Sequence, residues 1–78
     1  MKLYPNPVNK GERFSIGMNA DIKTPIHVEI INAIGAVVSV ETTTQAPASI
    51  VAPVTAGVYT LRITVEGKET AVRKLVVK

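Results

Sequence analysis

The apolar residues of this chain recur with a period of two, which is the spacing of a strand and not of a helix. The clearest run covers residues 58–66, where Tyr59, Leu61, Ile63 and Val65 alternate with polar side chains. Because successive side chains of a strand point to opposite faces, this run predicts a strand with one buried face. Clusters of Pro, Gly and Asn separate it from its neighbours, as is typical of a chain built from strands and turns.

Shorter runs show the same strand character along the rest of the chain. They are residues 12–18, 26–30, 37–40, 48–52 and 68–77. Pro47 and Pro53 bracket the run 48–52, and proline within a sheet favours an edge strand. Gly35 and Gly57 are predicted to form backbone turns, and Glu66-Gly67 is predicted to close a tight hairpin before the last strand.

The last run alternates less regularly than the others. Three apolar residues share a face with Arg73, and two valines point the opposite way: Ala71, Leu75 and Val77 against Val72 and Val76. A bulge near Arg73 would restore the pattern. Alternatively, both faces are partly apolar because a partner covers one of them.

The length allows one small domain, and the lack of cysteine means that packing alone must stabilise it. Hydrophobic residues make up 46% of the chain and charged residues 19%, which is a globular composition. Six to seven short strands at this length predict an all-β, immunoglobulin-like antiparallel β-sandwich. The Cys and Trp hallmarks of antibody domains are missing, so the similarity is architectural.

The charge is distributed unevenly along the chain. The net charge is +3, and the whole excess lies in the last 17 residues, which would attract an anionic partner. No apolar run is long enough for a membrane-spanning helix, and the first residues lack the apolar stretch of a signal peptide. If the protein is exported, we expect its export signal to lie upstream of these residues.

Three separated motifs carry a resemblance to a known family. The chain opens with Tyr4-Pro5-Asn6-Pro7, continues with Asn32 and Gly35 at a turn, and ends with Gly57-Val58-Tyr59 and Lys74-Leu75-Val76-Val77-Lys78. Read together, they resemble the type A C-terminal sorting domain of the type IX secretion system of certain Gram-negative bacteria. The likeness covers essentially the whole chain.

The resemblance implies that residues 1–78 are the sorting signal of a larger exported protein. The parent would enter the periplasm, pass the outer-membrane translocon with its shuttle components, and reach the cell surface or the medium. A surface sortase would cut ahead of Leu3 and anchor the cargo. Tyr4, Pro5, Asn6, Pro7 and Gly35 would be structural motif residues.

Recognition by the translocon is expected to involve residues towards the C-terminal end of the chain. They are Gly57, Tyr59, Gly67, Lys74, Leu75, Val76, Val77 and Lys78. We hypothesise that residues 74–78 offer unpaired backbone groups to a partner strand, with flanking lysines preventing promiscuous pairing. Whether two copies form a homodimer through a sheet edge is left open.

Catalysis, cofactors and metals find little support in the sequence. His27 lies on the apparent outer face without a second ligand nearby, and we expect a solvated strand residue. Ser15, Ser39 and Ser49 with Asp21 and His27 lack a nucleophile elbow or oxyanion motif. We therefore expect no enzyme activity, no cofactor and no metal site. Tyr59 is expected to have a structural role, with its hydroxyl bonded to a backbone group as in a tyrosine corner.

Two other function classes remain as alternatives. A generic surface-exposed immunoglobulin-like binding or stalk module is compatible with the architecture, although three aromatic residues are too few for a typical sugar-stacking platform. Nucleic-acid binding is suggested only by the positive charge and lacks aromatic interleaving, so no nucleic-acid partner is expected.

Overall fold

The computed structural model describes residues 2–17, 25–44, 47–65 and 68–78. These residues form seven strands: β1 (Lys2–Tyr4), β2 (Arg13–Gly17), β3 (Ile26–Ile31), β4 (Val37–Thr43), β5 (Ala48–Val51), β6 (Gly57–Val65) and β7 (Lys68–Val77). The described ranges contain no helix, and hence none that is long and apolar enough to cross a membrane. The prediction of an all-β chain is confirmed.

The strands form two antiparallel sheets. One sheet has three strands in the order β1-β2-β5, and the other has four in the order β4-β3-β6-β7. Strand β5 is an edge strand, as its two flanking prolines predicted. Strands β4 and β7 are the two edges of the larger sheet, so β7 has only β6 beside it in the sheet order.

The two sheets bury one shared apolar core between them, which makes the fold a β-sandwich. Its members come from every strand except β1 and β4, together with two loop residues: Val8, Phe14, Ile16, Ile26, Val28, Ile30, Ala48, Ile50, Ala52, Tyr59, Leu61, Ile63, Leu75 and Val77. The predicted inward residues Tyr59, Leu61 and Ile63 are buried, and Val65 packs against the core from a half-buried position. Burial of this face is the main favourable term in the absence of disulfides.

The irregularity predicted in the last strand exists, but it lies before Arg73. The register between β6 and β7 shifts where Ile63 pairs with Ala71 and Thr64 pairs with Glu69. Arg73 pairs with the buried Leu61 and is itself exposed. Because β7 is an edge strand, a long side chain on its core-facing side can reach solvent past the end of the sheet.

Two local predictions about turns have different outcomes. Gly35 has a φ of +89° in the hairpin between β3 and β4, where the Asn32 side chain accepts hydrogen bonds from the backbone N–H groups of Ile34 and Ala36. That turn is confirmed. The turn predicted at Gly57 is wrong, because Gly57 is the first residue of β6 and pairs with Val77. The Glu66-Gly67 hairpin and Met18 lie outside the described residues.

The tyrosine-corner contact is confirmed. Tyr59 is buried on β6, and its hydroxyl donates a hydrogen bond of 2.7 Å to the backbone oxygen of Thr55. This bond satisfies the hydroxyl and ties the connection between β5 and β6 to the core.

Candidate functional site

The C-terminal end of β7 divides its side chains between the core and the surface. Leu75 and Val77 are fully buried, at 0% and 2% exposure. Lys74 and Lys78 are exposed, and Val76 is half-buried. Since alternate residues of a strand face opposite sides, the two buried residues stabilise the fold and the other three are available for recognition.

Residues 6–10, which follow β1 and which we call the N-terminal segment, occupy the outer backbone edge of residues 74–78. Val8 forms a parallel bridge with Val77: its N–H donates to the Val76 oxygen at 2.9 Å, and its oxygen accepts from the Lys78 N–H at 2.9 Å. The Lys10 N–H donates to the Lys78 oxygen at 3.2 Å. The N-terminal segment therefore acts as a short additional strand beside β7.

The side chain of Asn6 extends this pairing by one further step. Its Nδ2 donates to the Lys74 backbone oxygen at 3.0 Å, and its Oδ1 accepts from the Val76 N–H at 3.0 Å. The amide thus takes the place of a backbone peptide group along the edge. Pro5 and Pro7 on either side are exposed, and neither carries an N–H that would need a partner.

The hypothesis that residues 74–78 present a free edge for strand addition is therefore wrong. Asn6, Val8 and Lys10 already bond the backbone groups that a partner strand would need. Within the described ranges, only the part of β7 before Arg73 has no neighbouring segment on its outer edge. What residues 74–78 offer to a partner is their outward side chains.

These side chains form a small surface that we call the tail face, made of Val58, Val72, Lys74, Val76 and Lys78. Val58 pairs with Val76 across β6 and β7, and Lys74 follows beside Thr60. Val58 is 50% exposed and Val72 is 48% exposed. A solvent-facing cluster of apolar side chains between two lysines is suited to a partner surface that combines apolar contacts with negative charge.

The other predicted recognition and motif residues lie at different distances from the tail face. Gly57 and Tyr59 are paired with Val77 and Leu75, and support the tail from the neighbouring strand. Gly35 belongs to the β3–β4 hairpin, away from β7 in the sheet order. Gly67 lies outside the described residues.

The residues considered for a hydrolytic triad are not assembled in the described part of the chain. Ser15 and Ser49 pair with each other in the three-stranded sheet, whereas His27 lies in the four-stranded sheet. The exposed His27 bonds Thr42 through Nδ1, with Oγ1 at 2.9 Å. Asp21 lies outside the described residues, within which no group of three His, Cys, Asp or Glu residues can hold a metal.

The contact of Asn6 with β7 leads to a prediction about stability. Asn6→Ala removes both side-chain bonds and leaves two backbone groups to water, so we expect a loss of about 1 kcal/mol. The thermal midpoint should fall by about 4–8 °C for a domain of this size. Asn9→Ala is the control, because the exposed Asn9 side chain donates to the nearby Glu12 side chain and, among the described residues, makes no bond to β7, so its loss should change the midpoint little. Equal midpoints for the two variants in thermal circular dichroism would contradict the assigned role of Asn6.

A family model described as "Secretion system C-terminal sorting domain" matches residues 2–78 of the chain. The match includes the N-terminal segment, the tail face and the core residues between them. No curated protein and no solved structure matches the chain.

Proposed function

The chain belongs to the family of secretion system C-terminal sorting domains, and from that premise we propose that the tail face is the surface by which the type IX secretion machinery recognises it. As a member of this family, the chain is a C-terminal sorting signal for type IX secretion of an exported protein. The single observation that supports the proposed surface is the position of Lys74, Val76 and Lys78. They are the part of the terminal motif that the fold leaves accessible.

The occupied edge supports recognition through side chains. A machinery component that added a strand to residues 74–78 would first have to displace Asn6, Val8 and Lys10, with the loss of their hydrogen bonds. Docking onto the tail face needs no such rearrangement. The two lysines would steer an acidic surface towards the site, and Val76 with Val58 would supply apolar contact.

The remaining steps of export are part of the proposal. The parent protein would cross the periplasm, pass the outer-membrane translocon with shuttle components, and be cut ahead of Leu3 by a sortase that anchors the cargo at the cell surface. The domain would have no catalytic activity of its own. The oligomeric state in solution would test whether two copies pair through a sheet edge, a question that the sequence leaves open.

A charge-reversal experiment tests the tail face. Lys74→Glu combined with Lys78→Glu is expected to reduce surface delivery of a fused passenger by about tenfold or more, because repulsion replaces attraction at the docking surface. The measurement is the passenger on the cell surface against the passenger retained in the periplasm, in a type IX-competent strain. Circular dichroism of the purified domain should show an unchanged thermal midpoint, since both lysines are exposed.

The matched control reverses the same number of charges elsewhere. Lys2→Glu combined with Arg13→Glu changes two exposed residues of the three-stranded sheet. We expect normal delivery from this control. Equal delivery by the control and the tail-face variant would show that the tail face is not the recognition surface.

A further inference from the structure

A second surface begins at β4, the edge of the larger sheet opposite β7, and reaches the start of β6. Its groove of about 690 Å³ is lined by β4, the β3–β4 hairpin, the connection from β5 to β6 and the first residues of β6, and it shares Val58 with the tail face. Its lining is mainly apolar, and two of its residues, Ile34 and Val54, are 88% and 79% exposed. Apolar residues this exposed around one groove indicate an interaction surface.

In strand β4, beside this groove, the usual placement of apolar side chains towards the core and polar side chains towards solvent is reversed. Its residues that pair with the buried Val28 and Ile30 of β3 are Glu41 and Ser39, so polar side chains stand on the core-facing side. Val40, which pairs with Glu29 on the other side, is 59% exposed. Within the described ranges, β3 is the single neighbour of β4, and the outer edge of β4 pairs with no strand. Among the described residues, the outer edge of residues 37–42 is therefore open to an added strand.

Glu41 gives this open edge a specific chemical requirement. Its carboxylate lines the groove, and its Oε2 atom is shielded from solvent without a hydrogen-bond partner among the described residues. A shielded carboxylate oxygen without a donor is unfavourable by about 1–3 kcal/mol or more. A cation or strong donor that bonds the Glu41 carboxylate would reduce this penalty.

A second copy of the chain is poorly suited to supply that group through the same strand. Two-fold antiparallel pairing of β4 centred on Val40, Glu41 or Thr42 places the two Glu41 carboxylates directly opposite or diagonal to each other. Like charges in those positions destabilise a strand pair. The inward carboxylate therefore disfavours pairing of two copies through these registers of β4 and selects for a positively charged partner.

We infer that the groove and the outer edge of β4 bind an extended segment of a different protein, which carries a Lys or Arg facing Glu41 between apolar residues. Such a segment would add a fifth strand beside β4. Its basic group would pair with the Glu41 carboxylate, and its apolar side chains would contact Val38, Val54 and Ile34. Backbone pairing supplies affinity, and the charge pair supplies selectivity.

A peptide titration tests this inference. The probe is a nine-residue peptide that alternates Val and Thr around one central Lys, and the matched peptide has Glu in place of the Lys. Binding to the whole chain is followed by the backbone amide shifts in nuclear magnetic resonance. We expect the Lys peptide to bind about tenfold more tightly, with shifts concentrated in β4, which corresponds to one charge-assisted bond.

Two isosteric variants assign the preference to one carboxylate. Glu41→Gln should reduce the Lys-over-Glu preference to about threefold or less. Glu29→Gln removes the same charge from the outer face of the same sheet, where Glu29 pairs with Arg62 at 2.7 Å, and should keep the preference. Equal affinities of the two peptides, a preference that survives Glu41→Gln, shifts centred on β7, or no binding at about 1 mM would each overturn the inference. The assay needs no secretion strain, so it tests the groove independently of the sorting function.

Discussion

Deleting residues 74–78 is expected to unfold the whole domain, and not merely to remove a recognition signal. The deletion removes Leu75 and Val77 from the core and leaves the N-terminal segment without its partner strand. Leu75→Ala alone should lower the free energy of unfolding by about 3 kcal/mol or more, as for other fully buried leucines. A domain of this size has a total free energy of unfolding of only about 5–10 kcal/mol. The loss of free energy caused by the deletion should therefore exceed the stability of the fold.

The measurement is thermal and denaturant unfolding of the purified domain. We expect Leu75→Ala to lower the thermal midpoint by about 12–24 °C, and the deletion to abolish the cooperative transition. Lys74→Ala is the control, because an exposed substitution away from the core should stay within about 0.5 kcal/mol of the parent. A cooperative transition that persists after the deletion would show that the tail is dispensable for folding.

This dependence changes how secretion experiments on the tail should be interpreted. If the deletion unfolds the domain, failure of a passenger to reach the surface after loss of residues 74–78 is explained by unfolding alone and does not identify a recognition signal. Recognition is separated from folding by substitutions at Lys74 and Lys78, whose side chains are exposed. The same strand thus stabilises the domain with one face and is proposed to bind the machinery with the other.

The sequence predicts those parts of the fold in which local alternation and burial agree. The strands β3 and β6 alternate regularly, and their inward residues Ile26, Val28, Leu61 and Ile63 are all buried. The flanking prolines of β5 predicted an edge strand, which the sheet order confirms. In these elements one face packs against the core along the strand. The alternation of apolar and polar residues therefore matches the alternation of buried and exposed positions.

The features that the sequence did not predict depend on distant parts of the chain or lack a local pattern of apolar residues. Asn6 bonds residues that are 68 and 70 positions away, and a short motif such as Pro5-Asn6-Pro7 contains no signal for that partner. Strand β1 has only three residues and no alternation to detect. The Glu41 side chain faces the core side of an edge strand, where the local pattern of polar and apolar residues is reversed.

Val8→Asp is expected to be among the most destabilising single substitutions in the domain. Val8 is 1% exposed, and it is the member of the N-terminal segment that joins the core while its backbone pairs with β7. An aspartate there would place a carboxylate among Phe14, Leu75 and the other apolar core residues, without a partner of opposite charge. We expect a loss of about 4 kcal/mol, because a buried, unpaired polar group must be desolvated.

Val54→Asp introduces the same change at a position that is 79% exposed, and should stay within about 0.5 kcal/mol of the parent protein. Denaturant unfolding of both variants gives the comparison directly. If Val8→Asp unfolded at the same denaturant concentration as Val54→Asp, the N-terminal segment would not be anchored against β7 in solution. The edge of residues 74–78 would then be open, and strand addition would again compete with side-chain docking as the mode of recognition.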